Sequence, residues 1–418
     1  MSAPRNAKTL LVLMAGAMIA LNGCKLVEPL KPSARSGDPV IARADIVYSN
    51  AAINGYSPFI VHARNGDLIV CAGTRGDAMP VEKPQDVDMN FVRSSDLGKT
   101  WKLYMTSKSG DPLTGLAEQL FTLPGGRVLR YALEPVWSRM PDMSKPDYLV
   151  VCGGTKFNSY YSISEDNGFT FSARKPLTDP ASNPVKRMDF AQGNIVALTN
   201  GDLLWSWGDR GNPPLNGFKR STDGGLTWGA MVRAFQDPPP GFVKPLSFNE
   251  TGVAVCKDGS IVAVARVDGA PGNDKRFWQI KSSDNGKTWS TPRPIEIQGG
   301  SPALYCTPKG QLWLAYRDAG FGPGLGLAVS DDKGEHWRFL YHLKDPQGDG
   351  YEKRFGHVRY TDEDRRQPWR PGEGMVGYPT FAKLSDNEVY VVFYTQNMRG
   401  TVCIPGTCIA GNLLRIPE

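Results

Sequence analysis

The sequence predicts an all-β protein, a six-bladed β-propeller of four-stranded antiparallel blades formed by residues 44–418. Three observations predict it: an octet that recurs five times, a tight turn that recurs six times in step with it, and a composition suited to turns rather than helices.

The octets are residues 94–101 (SSDLGKTW), 164–171 (SEDNGFTF), 221–228 (STDGGLTW), 282–289 (SSDNGKTW) and 330–337 (SDDKGEHW). Each carries the chemistry of a hairpin turn. The Asp accepts hydrogen bonds from turn N–H groups, the Gly takes a positive φ, and the closing aromatic packs between neighbouring sheets. The second repeat consists of the turns at residues 64–66, 124–126, 199–201, 257–259, 308–310 and 385–387, each breaking an alternating apolar run. The first five turns each precede one octet. A unit therefore reads strand, turn, strand, connection, strand, turn, strand, and units start near residues 57, 116, 190, 248, 300 and 376. The sixth lacks an octet. Its outer strands are expected from residues 409–416 and 44–49, so that the two chain ends close the ring. Forty-six Gly, 33 Pro and 10 Trp suit this turn-rich reading, and beyond residue 25 no long stretch carries a 3.6-residue apolar period.

The first 23 residues read differently. Arg5 and Lys8 precede an apolar run over residues 9–21, which is short for a membrane span and right for a secretion signal. The run ends in Leu21, Asn22, Gly23 and Cys24, similar to the lipobox of bacterial lipoproteins. That resemblance implies lipidation of Cys24, a membrane anchor and an outer-membrane location; a plain signal peptide with a coincidental cysteine is the alternative. Residues 24–43, rich in Pro, Lys, Arg and Ser, read as a flexible tether. Export permits disulfides. Cys403 and Cys408, across a Pro-Gly turn, are the best-placed pair, whereas Cys71, Cys152, Cys256 and Cys306 sit in or beside apolar runs and read as buried thiols. The net charge of +6 is spread over scattered Lys and Arg, which argues against nucleic acid as a partner. The four His are dispersed and no Cys/His spacing suits a metal, so no metal or cofactor is expected.

The octets resemble the Asp boxes, or BNR repeats, of the sialidase (neuraminidase) superfamily, whose six-bladed propeller is the catalytic domain. The resemblance covers residues 44–418. It implies that Asp96, Asp166, Asp223, Asp284 and Asp332 lie on outer turns and are structural. At the central channel it implies a Tyr nucleophile polarised by a Glu, an Asp acid/base and three Arg that clamp a substrate carboxylate. A neutral phenol suits attack beside a carboxylate because no charge repulsion arises, and the Glu takes its proton. Glu250, with Arg266 at the end of the following strand, matches the blade of the Glu and a clamp Arg. Tyr378, opening the sixth unit, matches the nucleophile. Arg75 corresponds to a second Arg in the first blade.

The chain also departs from the pattern. Ser57 stands where the family opens its first blade with Arg. The acid/base position falls near Lys83, with Asp86 and Asp88 close by; Asp86 is the candidate, two solvated loop carboxylates the alternative. The stretch before the fifth octet lacks the third clamp Arg, and Arg317 is the nearest substitute. Residues 351–373 hold five Arg together with His357 and Trp369, a loop long enough to lean over the channel. Trp205, Trp207, Asp209 and Arg210 are expected near the channel mouth. The resemblance thus implies a monomeric exo-glycosidase acting on a terminal acidic sugar of a glycan. A non-catalytic glycan-binding propeller, or a lyase on the same fold, stands as the alternative.

Overall fold

Alternating apolar runs bounded by Gly and Asn turns form strands, and 24 of them make up the computed structural model, with no helix among the described residues. It describes residues 35–49, 56–73, 89–107, 118–135, 157–182, 186–187, 193–209, 215–235, 246–268, 270, 274–320, 324–344, 375–399 and 402–417.

Strand β1 (Val40–Ser49) precedes the first full unit, β2 (Tyr56–His62), β3 (Leu68–Gly73), β4 (Met89–Ser94) and β5 (Lys102–Ser107). The second unit holds β6 (Glu118–Thr122), β7 (Val128–Pro135) and β8 (Phe157–Ser164), with the short β9 (Lys175–Pro176) and β10 (Lys186–Arg187) both paired to β8. The third holds β11 (Ile195–Ala197), β12 (Leu203–Asp209), β13 (Leu215–Ser221) and β14 (Val232–Arg233). One seven-stranded sheet follows: β15 (Ser247–Val255), β16 (Ile261–Asp268), β17 (Arg276–Ser282), β18 (Arg293–Cys306), β19 (Leu312–Asp318), β20 (Leu325–Ser330) and β21 (Arg338–His342). Its long β18 is the outer strand of a fourth unit and the inner strand of a fifth. The last unit combines β22 (Met375–Lys383), β23 (Glu388–Arg399) and β24 (Val402–Arg415) with β1, in the order β1-β24-β23-β22.

Each apolar cluster is shared by two successive units, as stacking sheets in a propeller requires. Phe59, Ile69 and Phe91 of the first unit meet Leu120 and Val128 of the second. Tyr131 of the second meets Trp205 and Trp228 of the third, and Phe218 of the third meets Val253 and Trp278 of the fourth. Val262 and Phe277 of the fourth pack on Leu312 and Tyr316 of the fifth, and Trp313 and Leu327 of the fifth on Val391 and Phe393 of the last. Val47, Val392 and Tyr394 of the last unit then meet Ile60, Leu68 and Val70 of the first. All-β propeller packing is the result. Trp205 and Trp207 belong to this core, 1% and 4% exposed, and not to a channel mouth. Alternation sends both toward Tyr131 and Trp228, whose rings lie 4.6 and 5.1 Å from that of Trp205. Arg210 and the side chain of Asp209 lie outside the described residues.

The octets form the expected turns between third and fourth strands. In the third, Ser221 Oγ donates to Asp223 Oδ1 at 2.7 Å, while Asp223 accepts from the Thr227 N–H and hydroxyl at 3.0 and 2.6 Å. Gly225, at φ +88°, passes so close to the second unit that a Cβ would lie 2.7 Å from Leu129. In the second octet the same bonds, chiefly those from Thr170, pull Asp166 down to about 2. Asp223→Ala is expected to cost about 1–2 kcal/mol in chemical denaturation without altering any activity, since it removes bonds of a turn between the third and fourth strands of its unit, β13 and β14.

Two further expectations need correction. Residues 40–43, read as tether from composition, pair in β1 with Leu413, Leu414 and Arg415. Just before them, Asp38 is buried against Arg338 of the fifth unit, which grips both its oxygens, one at 2.6 Å, while the Tyr341 hydroxyl donates to the Pro39 carbonyl at 2.7 Å. Burial pushes the Asp38 carboxyl up, but Arg338, the Arg35 N–H and Gln311 outweigh it and hold it below the usual range. Its folded pKa being depressed, its contribution is present above about pH 4 and fades as pH falls through the folded value. Asp38→Asn is expected to lower neutral-pH stability of the full chain by about 2 kcal/mol, with the difference from wild type shrinking in acid.

The second correction concerns cysteines. Cys256 and Cys306 are bonded as a disulfide, with Cα atoms 5.4 Å apart and a sequence separation of 50. They sit at the ends of β15 and β18, the innermost strands of adjacent units, which the ring brings side by side. Cys71 is buried, as expected. The side chains of Cys403 and Cys408, together with Cys152 and the 1–34 segment containing Cys24, lie outside the described residues.

Candidate active site

The innermost strands of the last three units are each interrupted by a bulge. The pairing register breaks between Asn249 and Thr251, between Gly300 and Ala303, and between Gly377 and Thr380. Within these breaks Glu250, Ser301 and Tyr378 hold φ values of +41°, +51° and +51°. A side-chain-bearing residue adopts that region only where its surroundings impose it, and bulges re-aim side chains near functional sites. Here three such residues converge.

The Tyr378 hydroxyl donates to Glu250 Oε1 at 3.0 Å. Arg266 Nη1 lies 3.1 Å from the same oxygen, and the other, Oε2, accepts the Ser301 backbone N–H at 2.9 Å. Glu250 is 8% exposed, so its charge depends on these partners. Burial pushes its carboxyl up; Arg266, Arg317 and the Ser301 N–H together outweigh burial and hold it below the usual range. Glu250 is therefore an ionised acceptor through neutral pH. Arg266 also reaches Asp268 Oδ1 at 3.0 Å, and Asp268 Oδ2 accepts from Asn249 Nδ2 at 2.7 Å. Arg266 loses some proton affinity to burial but regains more from Glu250 and Asp268.

Arg317 donates from Nε to the Val376 carbonyl at 2.6 Å and from Nη2 to the Tyr394 hydroxyl at 2.8 Å. Its guanidinium carbon stands 5.6 Å from the centre of the Tyr378 ring. The structure thus brings together Tyr378, Glu250, Arg266 and Arg317. Asp86, Asp88, Arg75 and the 351–373 loop lie outside the described residues. Ser301 and Asp268 escaped sequence reasoning. Nothing in a Ser or a strand-end Asp announces a role, and only the bulge and the neighbouring unit give them one. No cluster of His, Cys, Asp and Glu suited to a metal occurs among the described residues.

A match to the BNR repeat-like domain spans residues 148–391, more than half of the chain and including Glu250, Arg266, Arg317 and Tyr378. The chain belongs to that family. This BNR repeat-like propeller is 25% identical over 192 residues to a sialidase of Bacteroides fragilis strain YCH46. That match covers 34% of this chain and 33% of the sialidase, about a third of the relative's length. Among solved structures, a Dyadobacter fermentans protein of unknown function superposes with a TM-score of 0.62 at 21% identity, over 91% of this chain and 99% of the other. An α-L-arabinofuranosidase of Fusarium graminearum, bound to an iminosugar inhibitor, gives 0.59 at 14% identity over 90% and 98%. At these identities the structural likeness is one of fold.

Proposed function

We propose that the sheet units are the six blades of one closed propeller, and that it is a sialidase-like exo-glycosidase cleaving a terminal acidic sugar from glycans. The observation that carries this is the 3.0 Å hydrogen bond from the Tyr378 hydroxyl to buried, ionised Glu250. Tyr378 Oη bonds to the anomeric carbon as its proton passes to Glu250 Oε1, and the leaving-group oxygen departs with a proton from Asp86. Water, losing a proton to Asp86, then displaces the Tyr378 oxygen, which recovers its proton from Glu250. Two displacements retain the anomeric configuration. Arg266 meets the sugar carboxylate, with Arg75 as second contact. Lipidation at Cys24 holds the domain, a monomer, on the outer membrane.

Two observations favour a second reading, a neutral-sugar glycosidase. Arg266 is already engaged by Glu250 and Asp268, and the fold matches an arabinofuranosidase over nearly its whole length. Fluorogenic glycosides of sialic acid, a uronic acid and arabinofuranose separate the readings. Release from an acidic sugar supports the first, release from arabinofuranose alone the second. Glycan binding without turnover removes both in favour of a binding module, and unsaturated, ultraviolet-absorbing products identify a lyase.

A further inference from the structure

The bulged residues share a spacing. Sixteen residues after Glu250, Ser301 and Tyr378 come Arg266, Arg317 and Tyr394, each on the second strand of its unit. Each pairs with the residue just before the bulge, Arg266 with Asn249, Arg317 with Gly300 and Tyr394 with Gly377. Arg317 is thus the fifth unit's counterpart of Arg266, but the two point their charge differently. Arg266 turns back to Glu250 of its own unit, whereas Arg317 crosses into the last unit, bonding Val376 on the Tyr378 strand, β22, and Tyr394 on the neighbouring β23. It lies against Gly377, where a Cβ would stand 2.7 Å from Arg317 Nη2. The strained backbone at Tyr378 is therefore flanked by a cation tied to its own strand two residues earlier and to the strand beside it.

We propose that Arg317 is a positioning residue: it fixes the bulge that presents Tyr378 to Glu250, rather than contacting a substrate carboxylate. Its two bonds hold the backbone two residues ahead of Tyr378 and the phenol across from Gly377, and its charge faces the Tyr378 ring. This inference rests on Tyr378 and Glu250 acting as a pair. The supporting electrostatics agree, since Arg317 is among the charges that keep Glu250 ionised.

Arg317→Met and Arg317→Lys, with Gly377→Ala as an independent way to displace the guanidinium, provide the test. On an acidic and a neutral reporter glycoside, Arg317→Met is expected to lower kcat about 100-fold with KM little changed, the cost of a misplaced reacting group. The acid limb of its pH profile should move up as Glu250 loses a neighbouring cation, and Arg317→Lys should restore that limb without restoring kcat. A raised KM confined to the acidic reporter, with kcat kept, would overturn the proposal and make Arg317 a substrate clamp. If the wild-type chain cleaves no reporter, the glycosidase reading fails while the positioning claim is still decided by NMR of 13C-labelled tyrosine. The Tyr378 signal, assigned by its loss in Tyr378→Phe, should shift in Arg317→Met and Gly377→Ala; an unmoved signal in folded variants ends the proposal.

Discussion

Glu250→Gln is expected to lower kcat by about 10²–10⁴-fold on whichever glycoside the chain cleaves, and Tyr378→Phe by at least as much. The physical reason is a single bond. Glu250 Oε1 accepts the Tyr378 hydroxyl at 3.0 Å, and an amide in its place cannot take the phenol proton. Because the two act as a unit, the double variant should be no slower than the worse single one. With Glu250 held below the usual glutamate range, the wild-type acid limb should lie below about pH 4.3. Single-turnover and steady-state rates, with circular dichroism to confirm folding, check these outcomes. Wild-type rates in Tyr378→Phe would remove Tyr378 as nucleophile.

The disulfide carries the largest expected effect on stability. Cross-linking Cys256 to Cys306 closes a 50-residue separation, for which chain entropy predicts about 4 kcal/mol of stabilisation. Cys256→Ala with Cys306→Ala, or reduction under mild denaturant, should lower the unfolding free energy of the full chain by roughly that amount. The bond also joins the two strands that carry Glu250 and Ser301, six residues after the first and five after the second. Reduction is therefore expected to loosen the 2.9 Å contact between them and to lower kcat before global unfolding. Equal melting curves with and without reductant would sink this expectation. A disulfide of this kind forms in an oxidising compartment, in keeping with the proposed export.

How far the site was legible depended on the residue. Glu250, Arg266 and Tyr378 were picked out by the family resemblance, Glu250 and Tyr378 because they open their units and Arg266 because it stands near the end of the strand that follows Glu250. Arg317 was legible as a position but not as a role, since a strand-end arginine looks the same whether it meets solvent, substrate or the next sheet. Trp205 and Trp207 misled because an aromatic pair suits a channel mouth and a core equally well; alternation against Tyr131 and Trp228 decided for the core.

The turn chemistry is local. An Asp that accepts from N–H groups two to four residues away and a Gly at positive φ need no partner from elsewhere, so the repeat, the all-β architecture and the pairing of the chain ends could be read from residue order. Contacts between units are not local. The Tyr378–Glu250 bond spans 128 residues, the Asp38–Arg338 pair 300, and the Cys256–Cys306 bond joins strand ends that are neighbours only after the sheets have stacked. Which side chains meet across a sheet interface depends on bulges of a single residue, and those appear only once the strands have found their partners.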